Sequence, residues 1–106
     1  MIMSTGEHIA GQKVTRTLGL VKGNTIRARH LGRDIAAVFR NIVGGEVKDY
    51  TKMMAEAREQ SIDRMIEDAR QLGANAIIMV RFSTSSMMQG AAELLVYGTA
   101  VYVEDD

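Results

Sequence analysis

The sequence contains no cysteine, no proline and no tryptophan, and it carries no excess of charge of either sign. Without cysteine the chain has no disulfide, no thiolate metal site and no thiol nucleophile. Its 13 basic side chains balance 13 acidic ones, which gives a formal net charge of zero. A dedicated nucleic-acid binder needs a basic excess to replace phosphate counterions, so we expect no nucleic-acid partner.

Long hydrophobic runs are missing as well. No run is longer than the five residues of 76–80, whereas a membrane-spanning helix needs ~20 consecutive apolar residues. The first residues show no basic segment followed by an apolar one, so no signal peptide is indicated. We therefore predict a cytoplasmic protein without a membrane partner.

The remaining composition is that of one folded domain. The chain has 106 residues, of which 46% are hydrophobic and 25% are charged, close to the average for soluble domains. This composition excludes disordered and collagen-like chains. We predict a single domain over residues 1–106.

The first third of the chain is predicted to form strands. Threonine and branched aliphatic residues dominate residues 13–21, and Gly19 within them indicates a bulge or a close backbone approach. Gly23-Asn24 predicts a hairpin turn, because both residues tolerate a positive φ. Residues 25–29 would then return as a second strand, and residues 2–5 would add a short edge strand. Leu18 and Leu20 are expected on one face, and Ile26 and Ala28 on the inner face.

Two helices are predicted next, because the apolar spacing changes to 3.6 residues after Gly32. The first covers residues 33–43 and ends at Gly44-Gly45, since glycine is the usual C-cap. The second runs from about Glu46 to about Leu72, with Gly73 as its cap. Its predicted apolar face consists of Tyr50, Met54, Ala57, Ile62, Met65, Ile66, Ala69 and Leu72, and its solvated face of Glu59, Gln60, Asp63, Glu67 and Arg70.

The C-terminal third is predicted to form two strands. Residues 76–83 are nearly continuously apolar, as in a strand buried on both faces. Residues 83–90 are predicted to be a polar connection, and residues 93–103 a long final strand with two largely apolar faces. Two helices can cover only one face of a small sheet. We therefore expect the second face to contact another copy of the chain.

Several short blocks occur in a recognisable order and spacing. They are Leu18-Gly-Leu-Val-Lys-Gly23, Arg40-Asn-Ile-Val-Gly-Gly-Glu46, Tyr50, Ala57-Arg58, Leu72-Gly-Ala-Asn-Ala76 and Tyr97-Gly-Thr-Ala-Val101. With these blocks the chain resembles the YbjQ-like family, often labelled a heavy-metal-binding domain of unsettled function. The resemblance covers nearly the whole chain, and the Val-Gly-Gly and Gly-Thr-Ala-Val blocks together make it specific.

The resemblance implies an α+β fold, with a small antiparallel sheet packed with two helices. It also implies a subunit related to the dodecin-like β-α-β-β arrangement and assembled as a ring oligomer, a homopentamer. Many members carry an acidic, aromatic stretch after the first C-terminal strand, of the kind Asp-Tyr-Glu. Residues 82–86 of this chain read Phe-Ser-Thr-Ser-Ser and contain no acid, which argues against metal binding through that segment.

Metal ligands are sparse in the sequence. His8 and His30 have no partner at helical spacing. A row of carboxylates at Glu56, Glu59, Asp63 and Glu67 is open to two interpretations, a site for a hard cation such as calcium or a solvated helix face, and we prefer the second. The pairs Met53-Met54 and Met87-Met88 indicate adaptable core filler rather than a Cu(I) site. We predict no metal site and leave the cofactor undetermined.

Catalytic motifs are absent. The serines at 83, 85 and 86 lie in no Gly-x-Ser-x-Gly elbow, and no Gly-Lys-Ser/Thr phosphate loop occurs. The pair Gly44-Gly45 is interpreted as a helix break rather than an anion site, because Glu46 and Asp49 follow it. We predict no catalytic residue.

One set of polar residues lies inside or beside the family-like blocks. Two interpretations stay open, a network that fixes the helices or a subunit contact, and a polar pocket between subunits that binds a small ligand. The candidate ligand-binding residues are Arg40, Glu46, Tyr50, Arg58, Glu93, Tyr97 and Thr99. Dodecins bind flavins, but this chain has no tryptophan on which a flavin would stack.

The sequence therefore predicts a non-catalytic homo-oligomer whose partner is itself and which binds a small ligand at subunit interfaces. The alternative is a metal-binding protein or an enzyme that uses an intersubunit polar pocket.

Overall fold

The structure is a computed structural model that describes residues 1–28, 47–88 and 91–106. These residues form strand β1 (Ile2–Met3), strand β2 (Gln12–Ala28), helix α1 (Val47–Gln71), strand β3 (Ala76–Met88) and strand β4 (Ala91–Asp105). The strands build one four-stranded sheet in the order β1-β3-β4-β2.

The α+β class is confirmed, and the sheet is mixed rather than wholly antiparallel. The pairs β2–β4 and β3–β4 are antiparallel, whereas β1 pairs with β3 in parallel. The short edge strand expected near residues 2–5 is confirmed as β1. The helix predicted over residues 33–43 and its Gly44-Gly45 break lie outside the described residues.

The predicted hairpin at Gly23-Asn24 is wrong, because β2 continues straight through both residues and pairs with β4 along its length. Gly23 is buried beneath α1. A Cβ atom at this position would overlap the backbone oxygen of Ser61 and lie 2.5 Å from the backbone nitrogen of Met65. The glycine therefore permits the close approach of helix to strand instead of forming a turn.

The bulge expected at Gly19 is confirmed. The register between β2 and β4 shifts between Thr17 and Gly19, and the φ angle of Gly19 is 131°. The additional residue changes the alternation of side chains, so Leu18 packs against the core while Leu20 is 71% exposed. The expectation that Leu18 and Leu20 share one face is therefore wrong.

The predicted inner face of the second half of β2 is displaced by one residue. Thr25 is buried with 2% exposure, whereas Ile26 is 53% exposed. The displacement follows from the absent hairpin, because β2 keeps one alternation through Val21, Gly23 and Thr25. The orientation of Ala28 lies outside the described side chains.

Helix α1 begins and ends within one residue of the predicted bounds. Gly73 follows it with a φ of 83°, the left-handed conformation of a C-cap glycine. The backbone N–H of Gly73 donates to the oxygen of Arg70 (2.9 Å), and that of Ala74 donates to the oxygen of Ala69 (3.1 Å). This bond pattern is the Schellman motif and confirms the predicted cap.

The buried face of α1 agrees with the predicted one at its centre. Ala57, Met65 and Ala69 are fully buried, while Leu72 lies beyond the last turn and is 45% exposed. Ile62 and Ile66 are partly buried against the same core. The predicted solvated residues, Glu59, Gln60, Asp63, Glu67 and Arg70, are all exposed.

The polar connection predicted for residues 83–90 is wrong for its first part, because β3 extends to Met88. Ser83 and Ser85 pair with Leu95 and Glu93 of β4. Their polarity reflects a face of the strand that is exposed in the single chain. Burial of β3 on both faces is also only partial, since Met79 is 41% and Phe82 is 47% exposed.

The core has two parts, one on each face of the sheet. The larger part lies between the sheet and α1, and its fully buried members are Val21, Met65, Ala69, Ile77, Val96 and Ala100. The smaller part lies on the other face, where Ala76, Val101 and Val103 pack with Ile9 and Ile78.

The molecule is elongated, with extents of 55 × 22 × 16 Å and a radius of gyration of 17.4 Å. A compact chain of this length has a radius of gyration of about 13 Å. The 17 residues of β2, at ~3.3 Å per residue, already account for the long dimension. Among the described residues, no helix combines the length and the apolar character needed to cross a membrane.

Candidate functional site

Three of the predicted site residues lie side by side on β4. At each register shift the extra residue belongs to β2 or β3 and not to β4. Successive side chains of β4 therefore point to alternate faces of the sheet along its whole length. Because Val96 and Ala100 face α1, Glu93, Tyr97 and Thr99 face the opposite side.

We name that opposite side of the sheet the open face. No described residue covers it beyond the small cluster around Val101 and Val103. Register places on it Leu20, Lys22, Asn24 and Ile26 of β2, Ile78, Arg81, Ser83 and Ser85 of β3, and Glu93, Leu95, Tyr97 and Thr99 of β4.

Of the other predicted site residues only Arg58 has a described side chain, and the structure does not bring it to the open face. Arg58 lies exposed on α1, which packs on the other side of the sheet. Tyr50 lies in the first turn of α1. Arg40 and Glu46 lie outside the described residues. A pocket that joins Arg58 to Tyr97 would therefore need residues from a second chain.

Tyr97 stands at the centre of the open face and is 36% exposed. Lys22 is its register partner on one side and Arg81 on the other. A phenol flanked by two cationic residues offers a hydrogen-bond donor and positive charge on the same strip of sheet. Around this strip Leu20 and Ile26 leave large apolar surfaces exposed.

Two further polar contacts order the open face. The side-chain amide of Asn24 donates to Glu93 Oε2 over 3.1 Å, which fixes the carboxylate across the β2–β4 pair. Arg81 Nη1 donates to the backbone oxygen of Thr5 over 2.6 Å, so this guanidinium also holds the N-terminal segment. Arg81 thus acts in part as a structural residue.

A buried hydroxyl pair joins α1 to the sheet, and sequence reasoning missed it. Thr25 Oγ1 and Ser61 Oγ lie 3.0 Å apart, and Ser61 Oγ donates to the backbone oxygen of Ala57 at 2.9 Å. Ser61 lies four residues from Ala57 and from Met65, so helical spacing alone would have placed it on the buried face. Both hydroxyls have partners, and the pair is structural.

The middle of the β2 edge is closed by two side chains of α1. The backbone N–H of Lys22 donates to Asp68 Oδ2 at 3.2 Å, and Arg64 Nη1 donates to the backbone oxygen of Asn24 at 2.6 Å. These bonds satisfy backbone groups that an edge strand would otherwise present to another strand.

A cleft that the sequence did not indicate lies at the base of the open face. Its volume is about 540 Å³, and residues of the segment 7–14 form one side of it. Ile78 and Met79 of β3 and Val103 of β4 form the other side. Met79 has a φ of 54°, the only positive value of a non-glycine residue within the described ranges.

Metal ligands do not converge within residues 1–28, 47–88 and 91–106. No group of three or more histidine, aspartate and glutamate residues there is placed to hold a metal ion. Glu56, Glu59 and Asp63 line a shallow depression on α1 together with Lys52, which supplies a positive charge of its own. His8 is 91% exposed and lies 4.0 Å from Glu7.

Comparison with known proteins identifies the family of this α+β chain. A family model described as "Putative heavy-metal-binding" matches residues 1–104. The chain belongs to this family, the YbjQ-like family that its sequence resembles.

Relatives with similar sequences extend over the whole chain. A UPF0145 protein of Dehalococcoides mccartyi strain BAV1 is 60% identical over 104 residues, covering 98% of this chain and 100% of its own. A UPF0145 protein of Clostridioides difficile strain 630 is 56% identical over 106 residues, covering 100% and 95%. Their names assign no activity.

A solved structure supports the fold. It is a protein of unknown function from Pediococcus pentosaceus that belongs to the DUF74 family, and it aligns with a TM-score of 0.67 over 98% of both chains. Its sequence identity is 16%, so the likeness concerns the fold alone.

Proposed function

We propose that this protein is a subunit of a non-catalytic homo-oligomer that binds a small ligand between its subunits. The observation that carries the proposal is the open face, where Leu20, Ile26 and Tyr97 are 71%, 53% and 36% exposed in the single chain. The ring of five subunits comes from the family resemblance alone.

The energetics favour a partner for this face. Burying a large aliphatic side chain stabilises a complex by ~1.5–3 kcal/mol. Association costs ~4–15 kcal/mol in lost translation, rotation and ordering. In a ring, each interface joins the open face of one chain to a different surface of its neighbour. Burial of Leu20, Ile26 and Leu95, together with the apolar surface that the neighbour contributes, would offset that cost. A second copy of the chain is the occupant that we infer.

The ligand pocket is inferred from the polar residues on the same face. Glu93, Tyr97 and Thr99 lie in one row, with Lys22 beside Tyr97. In one chain this row is a flat part of the sheet surface, and a second chain that packs against it would enclose a pocket. Arg58 reaches such a pocket only from a neighbouring chain, because it lies on the other side of its own sheet.

Metal binding is the second candidate, and the description of the family favours it. Residues 1–28, 47–88 and 91–106 supply no cluster of three ligands within one chain, so a metal site built from these residues would need ligands from more than one subunit. Native mass spectrometry with elemental analysis separates the two candidates. We expect a mass without stoichiometric metal after dialysis, and a retained metal would contradict this expectation.

The interface is tested by a matched pair of substitutions, Leu20→Asp and Leu72→Asp. Both leucines are exposed in the single chain, but only Leu20 lies on the open face. We expect Leu20→Asp to dissociate the assembly, because the carboxylate would be buried without a partner. Leu72→Asp should leave the mass measured by light scattering unchanged. Equal masses for wild type and both variants would overturn the proposed interface.

A further inference from the structure

We propose that the cleft at the base of the open face binds a small apolar organic molecule. The cleft is formed by one chain, and Glu93, Tyr97 and Thr99 are not among its lining residues, although Thr99 is the register partner of Ile78 on the cleft wall. Ligand binding in the cleft therefore does not require the subunits to associate.

The segment that forms one wall of the cleft is fixed at its far end. The backbone N–H of Asp106 donates to the oxygen of Gly11 at 3.1 Å, and the side chain of Gln12 donates to Asp105 Oδ1 at 2.8 Å. A third hydrogen bond closes the turn at residues 9–12, where the backbone N–H of Gln12 donates to the oxygen of Ile9 at 3.0 Å.

The near end of the same segment is fixed by β3. The backbone N–H of Met79 donates to the oxygen of Gly6 at 3.0 Å, and that of Val80 donates to the oxygen of Ser4 at 3.0 Å. Arg81 Nη1 adds its bond to the oxygen of Thr5. A wall held at both ends makes the cleft preformed, which is typical of small-molecule sites.

The floor of the cleft is apolar and incompletely covered. Val14 is 42% and Met79 is 41% exposed, although both line a concave surface beside Ile78 and Val103. The volume of about 540 Å³ lies within the range of ligand sites, roughly 300–1,000 Å³. An apolar ligand would remove the exposed parts of Val14 and Met79 from water.

The backbone of Met79 is an independent observation that points to the same place. Its φ of 54° puts a long side chain in the left-handed region, which residues other than glycine and asparagine rarely adopt. The pairing of β3 with β4 is irregular between Ile78 and Arg81, so Met79 lies in a bulge. Strained residues cluster at ligand sites, and this one forms part of the cleft wall.

The charges around the cleft decide which class of molecule fits. Glu7 and Asp106 are acidic, whereas Lys13 is basic. Because both signs surround the opening, neither an anion nor a cation is favoured strongly. The apolar body of the ligand should therefore set its affinity.

The test uses three probes with one ring system and different charges, namely indole, indole-3-acetate and tryptamine. Each is titrated into the full-length protein while methyl TROSY spectra record Val14, Ile78, Met79 and Val103. We expect saturable shifts confined to these methyl groups and to Ile9, with dissociation constants within about fivefold of one another. Shifts spread over other methyl groups, or binding of one charge type only, would overturn the proposal.

Matched variants locate the site. Val14→Trp fills the cleft and should weaken all three probes at least tenfold, whereas Leu72→Trp, at a comparably exposed position just after α1 and outside the cleft lining, should bind them as wild type does. If Val14→Trp fails to fold, Met79→Lys replaces it, because a charge on the cleft wall should weaken indole and tryptamine. Unchanged binding in a folded variant at either position would contradict the inference.

Discussion

The contact of Gly23 with α1 is the tightest helix–sheet approach among the described glycines. The backbone of Ser61 and Met65 occupies the space that a side chain at position 23 would need. The hydroxyl pair of Thr25 and Ser61 lies at the same crossing and adds buried hydrogen bonds to it. The close contact of α1 with β2 at this crossing therefore depends on the lack of a side chain at Gly23 and on the hydrogen bond between Thr25 and Ser61.

Gly23→Ala should be strongly destabilising for this reason. The new methyl group overlaps backbone atoms, which cannot rotate away, so we expect a loss of at least ~2 kcal/mol in the free energy of unfolding. Urea denaturation measures the loss. Gly6→Ala is the control, because a Cβ atom there meets only Ser4 Oγ at 3.6 Å. Similar stabilities for the two variants would contradict the close approach.

The same residues show why local sequence reasoning failed here. Gly23-Asn24 carries the signal of a hairpin, and the same glycine signal arises wherever a helix lies close to a strand. Only the position of α1 distinguishes the two, and that position depends on contacts between residues almost forty positions apart. Gly73, by contrast, was predicted correctly because its role depends on the adjacent helix end alone.

At the scale of elements, the two long outer edges of the sheet differ. α1 closes the middle of the β2 edge through Arg64 and Asp68. On the opposite side, β1 pairs with β3 only at Ala76 and Ile77, so the later part of β3 has no strand partner on that side within the described residues. Strand pairing with another chain is thus hindered at the centre of β2 by charged side chains.

Arg64→Met should expose the backbone oxygen of Asn24 on the β2 edge. We expect a loss of ~1.5 kcal/mol in stability, the lower end for a hydrogen bond from a charged group because this contact is exposed, and a faster rise of light scattering on mild heating. Arg70→Met serves as the control, since Arg70 only approaches Glu67 at 4.0 Å on an exposed surface. Equal scattering rates for both variants would show that Arg64 does not protect the edge.

The bounds of α1 and β4 were more predictable than the faces of β2 and β3. Helix α1 and strand β4 follow from apolar periodicity and from glycine positions, and both were found close to their predicted limits. The bulges at Gly19 and Met79 change the alternation on β2 and β3, and nothing local in the sequence fixes which residue is the additional one. The predicted faces of Leu20 and Ile26 were wrong because of the bulge at Gly19 and the wrongly predicted hairpin, respectively.

At the scale of the whole molecule, some features of the candidate site were predictable from local sequence patterns, and others depended on contacts between distant parts of the chain. The alternation of β4 correctly puts Glu93, Tyr97 and Thr99 on one face, because β4 contains no bulge of its own. The grouping of these residues with Arg58 rested on the family-like blocks, and the sheet separates them within one chain. The cleft at residues 7–14 escaped prediction because it forms only when the N-terminal segment meets the bulge of β3.

The elongated shape of the molecule is accompanied by exposed apolar residues on the open face. The molecule is 55 Å long, and its described residues place one helix on one face of the sheet, so Leu20 and Ile26 on the open face stay exposed in the single chain. The family and the fold are established by comparison, while the assembly, the intersubunit pocket and the cytoplasmic location stay predictions. The proposed function therefore depends most on whether the chains associate.

Sedimentation equilibrium of the wild-type protein at low micromolar concentration tests that association most directly. We predict one species whose mass is a multiple of 11.6 kDa, and the family resemblance sets that multiple at five, about 58 kDa. Another multiple would correct only the ring size. A folded species of 11.6 kDa across the concentration range would contradict the proposed assembly.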